Sequence, residues 1–274
     1  MIAAPGALLL SAEKALDRAA ATLRRGRSHV GRLVPKHDQD FASTVDLEIE
    51  RLVREILAAA TPDIPLLGEE GDQAPLDGDA VWVLDPIDGT LNFIAGSPFC
   101  SISLALVTAG RPVLAIVDAP LLNERYVAVE GAGAYLNGLR VVVSDPPGDE
   151  PVVSMADFGL GELSSGRNAL QLSIIEHLVA TGARVRIHGS AALDLAWMAS
   201  GRLSGTLMAS NLPWDVLGGV LLVREAGGLV FDADGSPHST ASAWTIAATP
   251  TTRPMMLDAI VAARGPVGSG GHAR

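Results

Sequence analysis

Two aspartates stand three residues apart at the end of an apolar run, an arrangement that can hold a divalent cation. Asp85 and Asp88 follow the apolar stretch 80–84. Pro86 has no backbone donor and Gly89 can adopt angles that other residues avoid, so the chain is predicted to turn sharply and release both carboxylates from the sheet edge together. Two such anions repel each other unless a cation lies between them, and Mg²⁺ prefers oxygen ligands. The spacing indicates a magnesium site, although a capped strand-to-helix turn explains it equally well by itself.

Acids elsewhere in the chain strengthen this interpretation. Glu69 and Glu70 follow the apolar pair at 66–67, where carboxylates close to a core are costly without a cation or hydrogen-bond donors. Asp215 precedes the apolar helical stretch 216–222, and on its own it would be interpreted as a helix N-cap. The combination of these acids, rather than any one of them, favours a metal site.

Hydrophobic periodicity predicts the elements that position these acids. Helices are predicted at 8–26, 44–60, 165–181, 190–200, 214–226 and 251–263. Strands are predicted at 64–67, 80–84, 101–107, 113–117, 126–129, 152–156, 184–187, 205–209, 228–231 and 245–248.

A polar, proline-rich stretch at 145–151 predicts a boundary between two halves. The N-terminal α+β half, 1–145, carries most of the acids, and the C-terminal α/β half, 151–264, carries Asp215. The glycine-rich tail 265–274 is expected to be disordered.

Composition narrows the class of protein. The chain has 20 basic and 31 acidic residues among 274, a formal net charge of −11, and its only lysines are Lys14 and Lys36. Nucleic acids and anionic membranes are bound through basic patches, so neither is an expected partner. The single cysteine, Cys100, permits no internal disulfide and is expected to be a small buried hydrophobe. Since no secretory leader or membrane-spanning run is evident, we expect a cytoplasmic protein.

Several common enzyme signatures are absent from the sequence. There is no Gly-x-Ser-x-Gly serine-hydrolase motif, and neither lysine follows a glycine-rich phosphate loop. The six histidines show no HExxH or paired spacing, so a zinc site is not expected.

The order and spacing of these motifs closely resemble the inositol monophosphatase family, and most of all an actinobacterial-type branch of it. The likeness runs from about Lys36 to Pro250. It implies an α/β, layered αβαβα sandwich with the active site between the two halves, a homodimer, and Mg²⁺-dependent hydrolysis opposed by Ca²⁺ or Li⁺. The motifs that carry it are Gly68-Glu69-Glu70, Asp85-Pro86-Ile87-Asp88-Gly89-Thr90, Trp214-Asp215 and Glu225-Ala226-Gly227-Gly228, with His188-Gly189-Ser190 and the 40–48 region pointing to the branch.

The resemblance implies specific metal ligands, for two or three Mg²⁺ ions in all. One ion would be held by Glu69, Asp85 and the carbonyl of Ile87. A second would be held by Asp88 and Asp215, with Asp85 bridging both ions. Two-metal sites of this kind generate an attacking hydroxide and stabilise the leaving oxygen of an in-line displacement.

The resemblance also implies the catalytic groups. Glu69 and Thr90 would orient and deprotonate the water, and Asp46 would accept a hydrogen bond from the threonine hydroxyl. From the sequence alone, Asp46 is equally well explained as a first-turn acid favoured by the helix dipole. Lys36 resembles a family lysine beside the metal site.

The substrate groups follow by the same likeness. The phosphate would face the backbone N–H groups of Gly89 and Thr90. Met208 occupies the position where inositol-specific members carry a glutamate, which predicts an apolar, permissive wall; the alternative is that Met208 simply packs in its strand. The substrate-ring loop would consist of Gly189, Ser190 and Ala191.

We therefore predict a Mg²⁺-dependent phosphomonoesterase with inositol 1-phosphate as the first candidate substrate. Histidinol phosphate, fructose 1,6-bisphosphate and 3′-phosphoadenosine 5′-phosphate are the alternatives within the class. An alternative from another class is a metal- or phosphate-binding regulator without catalysis.

Overall fold

The computed structural model describes residues 5–27, 33–35, 41–71, 75–76, 78–148, 150–159, 161 and 164–264. Lys36 and the tail 265–274 lie outside these ranges. The helices are α1 Pro5–Gly26, α2 Thr44–Ala60, α3 Thr90–Ile94, α4 Ser165–Ala180, α5 Ala191–Ala199, α6 Pro213–Glu225 and α7 Arg253–Arg264. The strands are β1 Leu33–Pro35, β2 Phe41–Ser43, β3 Leu66–Gly68, β4 Val81–Asp88, β5 Ser101–Thr108, β6 Arg111–Ala119, β7 Glu124–Val129, β8 Gly133–Leu136, β9 Leu139–Val141, β10 Val152–Met155, β11 Arg184–Arg186, β12 Gly205–Met208, β13 Leu229–Phe231 and β14 Thr245–Ala248.

The first half forms a seven-stranded sheet in the order β3-β4-β5-β6-β7-β8-β9, in which only the β3–β4 pair is parallel. Strand β4, which lies next to the edge strand β3, is buried along its whole length. Trp82 and Leu84 pack with α1 and α2 on one face, whereas Val81 and Val83 pack with α5 and α6 on the other. Side chains alternate along a strand, so Asp85 continues the face that α6 covers.

The second half forms a five-stranded sheet in the order β11-β10-β12-β14-β13. Helices α5 and α6 share one apolar core with both sheets, and α4 and α7 cover the outer face of the smaller sheet. The layers therefore run helix, sheet, helix, sheet, helix, which confirms the predicted αβαβα sandwich. None of the helices in the described ranges has the length and apolar character needed to cross a membrane.

Two adjacent glycines let α6 approach its neighbours closely. A Cβ on Gly218 would lie 2.8 Å from Ser103 Oγ, and one on Gly219 would lie 2.3 Å from Leu195 Cβ. Because no other residue type leaves this space, the pair sets how near α6, whose first turn carries Asp215, comes to the sheet and to α5.

The structure departs from the predicted elements in a few places. β4 continues to Asp88 through a register shift between Asp85 and Asp88, so the two carboxylates sit on an irregular strand end rather than on a turn that follows the strand. Prediction missed α3, β1, β2, β8 and β9, which are short and owe their stability to neighbouring elements rather than to a periodic pattern of their own. The boundary at 145–151 falls between β9 and β10 and stays a prediction.

Candidate active site

The acids predicted from sequence meet in one cleft of about 180 Å³ between the two sheets. Glu69 follows β3, Asp85 and Asp88 end β4, and Asp215 lies in the first turn of α6. A larger surface cleft of about 630 Å³ beside α1 and β7 contains none of the predicted site residues. The residues that line the acidic cleft are Glu69, Asp85, Ile87, Asp88, Gly89, Thr90, Leu91, Asn92, Asp157, Gly189 and Asp215.

Asp85 is the most strongly perturbed of these groups. Its side chain is 2% exposed, and among the described residues its Oδ1 has no hydrogen-bond donor. Burial raises its pKa well above the usual range, and the negative charges of Glu69 and Asp88 raise it further. A buried carboxylate oxygen without a donor is costly unless a cation balances it.

Asp88 joins β4 to the N-terminus of α5. Its Oδ1 accepts the N–H of Ala191 at 3.1 Å, and its Oδ2 accepts the N–H of Ala192 at 2.9 Å. The hydroxyl of Ser190 also donates to Oδ2, as does that of Ser101 at 3.3 Å. Burial raises the pKa of Asp88 to about 6 against the lowering effect of these bonds. Since Oδ1 accepts a single bond, one of its lone pairs stays available to a cation.

The contact expected between Thr90 and Asp46 is present. Thr90 Oγ1 lies 3.1 Å from Asp46 Oδ1 and 2.9 Å from the carbonyl oxygen of Ile87. Asp46 also accepts the backbone N–H of Ser43 at 2.9 Å, and Ser43 caps α2 in return, so Asp46 completes a capping box. Burial raises the pKa of Asp46 although its hydrogen bonds lower it. The two explanations offered for Asp46 therefore apply together, because its two oxygens serve different partners.

Gly89 has to be a glycine. Its φ of 87° is in the left-handed region, and a Cβ there would lie 2.9 Å from the carbonyl oxygens of Phe99 and Gly189. The loop that carries Gly189 can therefore lie directly against the start of α3.

Of the substrate groups predicted from sequence, Gly189 lines the cleft whereas the donors of Ser190 and Ala191 are directed at Asp88. Met208 requires a correction. It is 1% exposed and packs in the core between the two sheets, and Thr206 Oγ1 lies 3.9 Å from its sulfur. Strand alternation places Met208 under α5 and α6 and not on the wall of the cleft. The permissive-wall hypothesis is therefore not carried forward.

Sequence reasoning missed Asn92. Its Nδ2 lies 2.8 Å from the carbonyl oxygen of Phe99, 2.6 Å from that of His188 and 3.2 Å from that of Gly189. This amide fastens α3 to the loop before α5. The only sequence signal was a polar residue two positions after Thr90, which does not reveal partners about a hundred residues away.

Asp157, in the loop after β10, also lines the cleft and was missed. Partial desolvation raises the pKa of its carboxyl group. An isolated acid outside any recognisable motif carries no signal in a single sequence.

The donor set fits the metal that the resemblance implies. It consists only of carboxylate and carbonyl oxygens, from Glu69, Asp85, Ile87, Asp88 and Asp215, as Mg²⁺ prefers. The unpartnered Oδ1 of Asp85 lies among them. In the described part of the chain, no three acidic, histidine or cysteine side chains are already close enough together to hold a metal ion by themselves.

The fold and the cleft together define a layered αβαβα protein with an acidic cleft whose candidate metal ligands are all oxygen atoms. A family model, that of the inositol monophosphatase family, matches residues 7–265. The chain belongs to the inositol monophosphatase family, and it is a phosphoric monoester hydrolase acting on a small substrate. The family is generally metal-dependent, typically with Mg²⁺.

Individual relatives agree with this assignment. The chain is 36% identical over 255 residues to the inositol-1-monophosphatase ImpA of Mycolicibacterium smegmatis, covering 93% of this chain and 92% of the relative. It is 38% identical over 201 residues to a fructose-1,6-bisphosphatase/inositol-1-monophosphatase of Thermotoga maritima, covering 72% and 73%. The crystal structure of the extragenic suppressor protein SuhB of Bartonella henselae superposes with a TM-score of 0.84 at 30% identity, covering 93% and 98%.

Proposed function

We propose that this protein hydrolyses the phosphate monoester of a small polyhydroxylated alcohol with Mg²⁺, and that inositol 1-phosphate is the first candidate substrate. The observation that carries the proposal is the buried, unpartnered Oδ1 of Asp85 between the acidic groups Glu69, Asp88 and Asp215. The name of the Mycolicibacterium relative supports the choice of substrate.

The residues proposed to hold Mg²⁺ are Glu69, Asp85, Asp88, Asp215 and the carbonyl of Ile87. When bound, the metal would lower the pKa of the attacking water and neutralise charge on the phosphate. The number of ions, two or three, stays a prediction, as does the homodimer.

The side chains have distinct proposed tasks in the reaction. Glu69 and Thr90 would position the water and take its proton, and Asp46 fixes the Thr90 hydroxyl from 3.1 Å away. The water oxygen would form a bond to phosphorus as the bond to the alcohol oxygen breaks, and the alcohol would leave with a proton. Gly89, which has no side chain, would present its backbone N–H to the phosphate together with that of Thr90.

The alternative of a non-catalytic regulator is less well supported. A protein that only binds metal or phosphate has no use for a hydroxyl held between Asp46 and Ile87 beside the metal ligands. This arrangement suits water activation, which favours catalysis.

The decisive experiment measures phosphate release from inositol 1-phosphate, histidinol phosphate, fructose 1,6-bisphosphate and 3′-phosphoadenosine 5′-phosphate. We expect hydrolysis with Mg²⁺, none with chelator, and recovery on adding Mg²⁺ back. Asp85→Asn should lower kcat/KM by at least 10³-fold, since this group would contact both ions. Full activity in chelator, or an Asp85→Asn variant within tenfold of wild type, would refute the mechanism.

A further inference from the structure

Asp157 is an acidic group of the cleft that stands apart from the metal ligands. The carboxylates whose charges raise the pKa of Asp85 most strongly are Glu69, Asp88 and Asp215. The charge of Asp157 instead raises the pKa of Asp194, which lies in α5 and is bonded to His188 in the loop before that helix. Asp157 therefore belongs to the side of the cleft formed by the second half of the chain.

The carboxylate of Asp157 lies against the loop residue Gly189. A Cβ on Gly189, whose φ is 76°, would be 2.9 Å from Asp157 Oδ2 and 3.0 Å from Asn92 Nδ2. The absence of a side chain at Gly189 thus leaves room for Asp157 Oδ2 beside the cleft that both residues line.

Asp157 is exposed, and its carboxylate accepts no hydrogen bond from any residue that the structure describes. The neighbouring amide, Asn92 Nδ2, is directed at the carbonyl oxygens of Phe99, His188 and Gly189 rather than at Asp157. Its acceptor capacity is therefore available to a ligand.

The described wall of the cleft contains carboxylates, carbonyls, an amide and a hydroxyl but no lysine or arginine. Apart from the Mg²⁺ proposed for the reacting phosphate, the described wall supplies no positive charge to offset the repulsion between Asp157 and a second phosphate. A hydroxyl group would instead donate a hydrogen bond to this carboxylate, which favours substrates that carry a hydroxyl there.

We propose that Asp157 is a specificity-determining residue that accepts a hydrogen bond from a hydroxyl of the alcohol and excludes a second phosphate. The enzyme then prefers a polyol monophosphate to a sugar bisphosphate. This inference rests on the proposed function, because it concerns the substrate of the same site.

The test compares wild type with Asp157→Ala and Asp157→Asn on three substrates: inositol 1-phosphate, fructose 1,6-bisphosphate and phenyl phosphate, which has no hydroxyl. Asp157→Ala should lower kcat/KM for inositol 1-phosphate about tenfold, mainly through KM, as expected for one lost hydrogen bond. Phenyl phosphate should change less than twofold. Both variants, having lost the charge, should raise kcat/KM for the bisphosphate at least fivefold relative to phenyl phosphate.

Asp63→Asn is the matched control, since it removes one negative charge from an exposed loop away from the cleft and should leave all three ratios unchanged. If all three substrates are hydrolysed and neither Asp157 variant changes the ratios of their kcat/KM values, the inference is overturned and the proposed function stands. A wild type that prefers the bisphosphate would also overturn it. Failure to hydrolyse any of the three with Mg²⁺ would instead refute the proposed function.

Discussion

At the scale of single residues, the arrangement around Thr90 separates water activation from metal binding. Its hydroxyl contacts Asp46 and the carbonyl of Ile87, both within 3.1 Å. None of the oxygens proposed as ligands is lost when this hydroxyl is removed. The reaction rate and the affinity for Mg²⁺ should therefore respond differently to its removal.

We expect Thr90→Ala to lower kcat by roughly 10²-fold or more, since positioned proton transfer contributes 10²–10⁴-fold in typical enzymes. The Mg²⁺ concentration for half-maximal activity should change less than threefold. Thr90→Ser, which keeps the hydroxyl, should retain most of the rate. Equal losses in the alanine and serine variants would mean that the methyl group, and hence packing, is what matters at this position.

At the scale of elements, the position of α6 depends on close packing rather than on the helix itself. Gly218 and Gly219 face Ser103 and Leu195 at distances that leave no room for a methyl group. The helix begins at Pro213, and Asp215 is in its first turn. Any displacement of α6 would therefore be transmitted to a proposed metal ligand.

The same substitution at two helical glycines should have opposite effects. Gly219→Ala should lower the free energy of unfolding by about 1–3 kcal/mol, because the new Cβ lies 2.3 Å from Leu195 Cβ. In α4, Gly166 has open space around its Cβ position, and Gly166→Ala should raise stability by up to about 1 kcal/mol through helix propensity. Denaturant titration measures both. Stabilisation by Gly219→Ala would show that the packing around α6 is looser than the structure indicates.

The loop between β13 and β14 contains a buried histidine that should make stability depend on pH. Burial, together with the charge of Arg224, lowers the pKa of His238 to about 4. His238 Nε2 lies 2.9 Å from Asn211 Oδ1 and 3.1 Å from Thr245 Oγ1. The histidine of the unfolded chain has an ordinary pKa near 6.5. Between about pH 6.5 and 4 it therefore binds a proton, whereas His238 of the folded protein stays neutral.

The contribution of neutral His238 to the free energy of unfolding is therefore complete above about pH 6.5 and is lost as the pH falls toward 4. We expect it to amount to roughly 2–3 kcal/mol across this range. His238→Gln should remove that part of the slope in denaturant titrations between pH 4.5 and 7. His177→Gln, at a partly exposed position of α4, is the matched histidine-to-glutamine control away from this loop. An identical slope in wild type and His238→Gln would show that other groups carry the acid sensitivity.

At the scale of the whole molecule, the site joins the two halves of the chain. Asp85 and Asp88 come from the seven-stranded sheet, Asp215 comes from α6, and Asp88 is bonded to the start of α5. A cation bound among these groups would link both halves and would remove the repulsion that burial of Asp85 creates.

We expect Mg²⁺ to raise the melting temperature of the wild type by several degrees. A ligand at about 100 times its Kd stabilises the native state by about 2.7 kcal/mol, and 1 kcal/mol corresponds to roughly 2–4 °C in a chain of this size. Asp85→Asn should lose most of this gain and melt no lower than wild type in chelator. If Mg²⁺ raised the melting temperatures of wild type and Asp85→Asn equally, the stabilising ion would bind somewhere other than at Asp85.

The sequence by itself determined the principal helices and strands and the acids of the cleft, and its resemblance to a known family implied the layered αβαβα fold. An apolar run predicts β4, and a 3.6-residue period predicts α2. Short motifs at the ends of these elements indicate the carboxylates. Each of these signals is local, and burial of an apolar face forces the layers together, so the acids at the ends of neighbouring elements converge.

The tertiary structure alone decided which side chains face the cleft. Met208 lies at a position that the resemblance associates with substrate, yet the pleat of β12 turns it into the core. Asp88 and Asn92 make their hydrogen bonds to residues about a hundred positions away. Asp157 reaches the cleft only because β10 pairs beside β12 and the next loop ends against Gly189. Such contacts depend on strand register and on the approach of one loop to another. Packing across the whole chain sets both, so they leave no local pattern in the sequence.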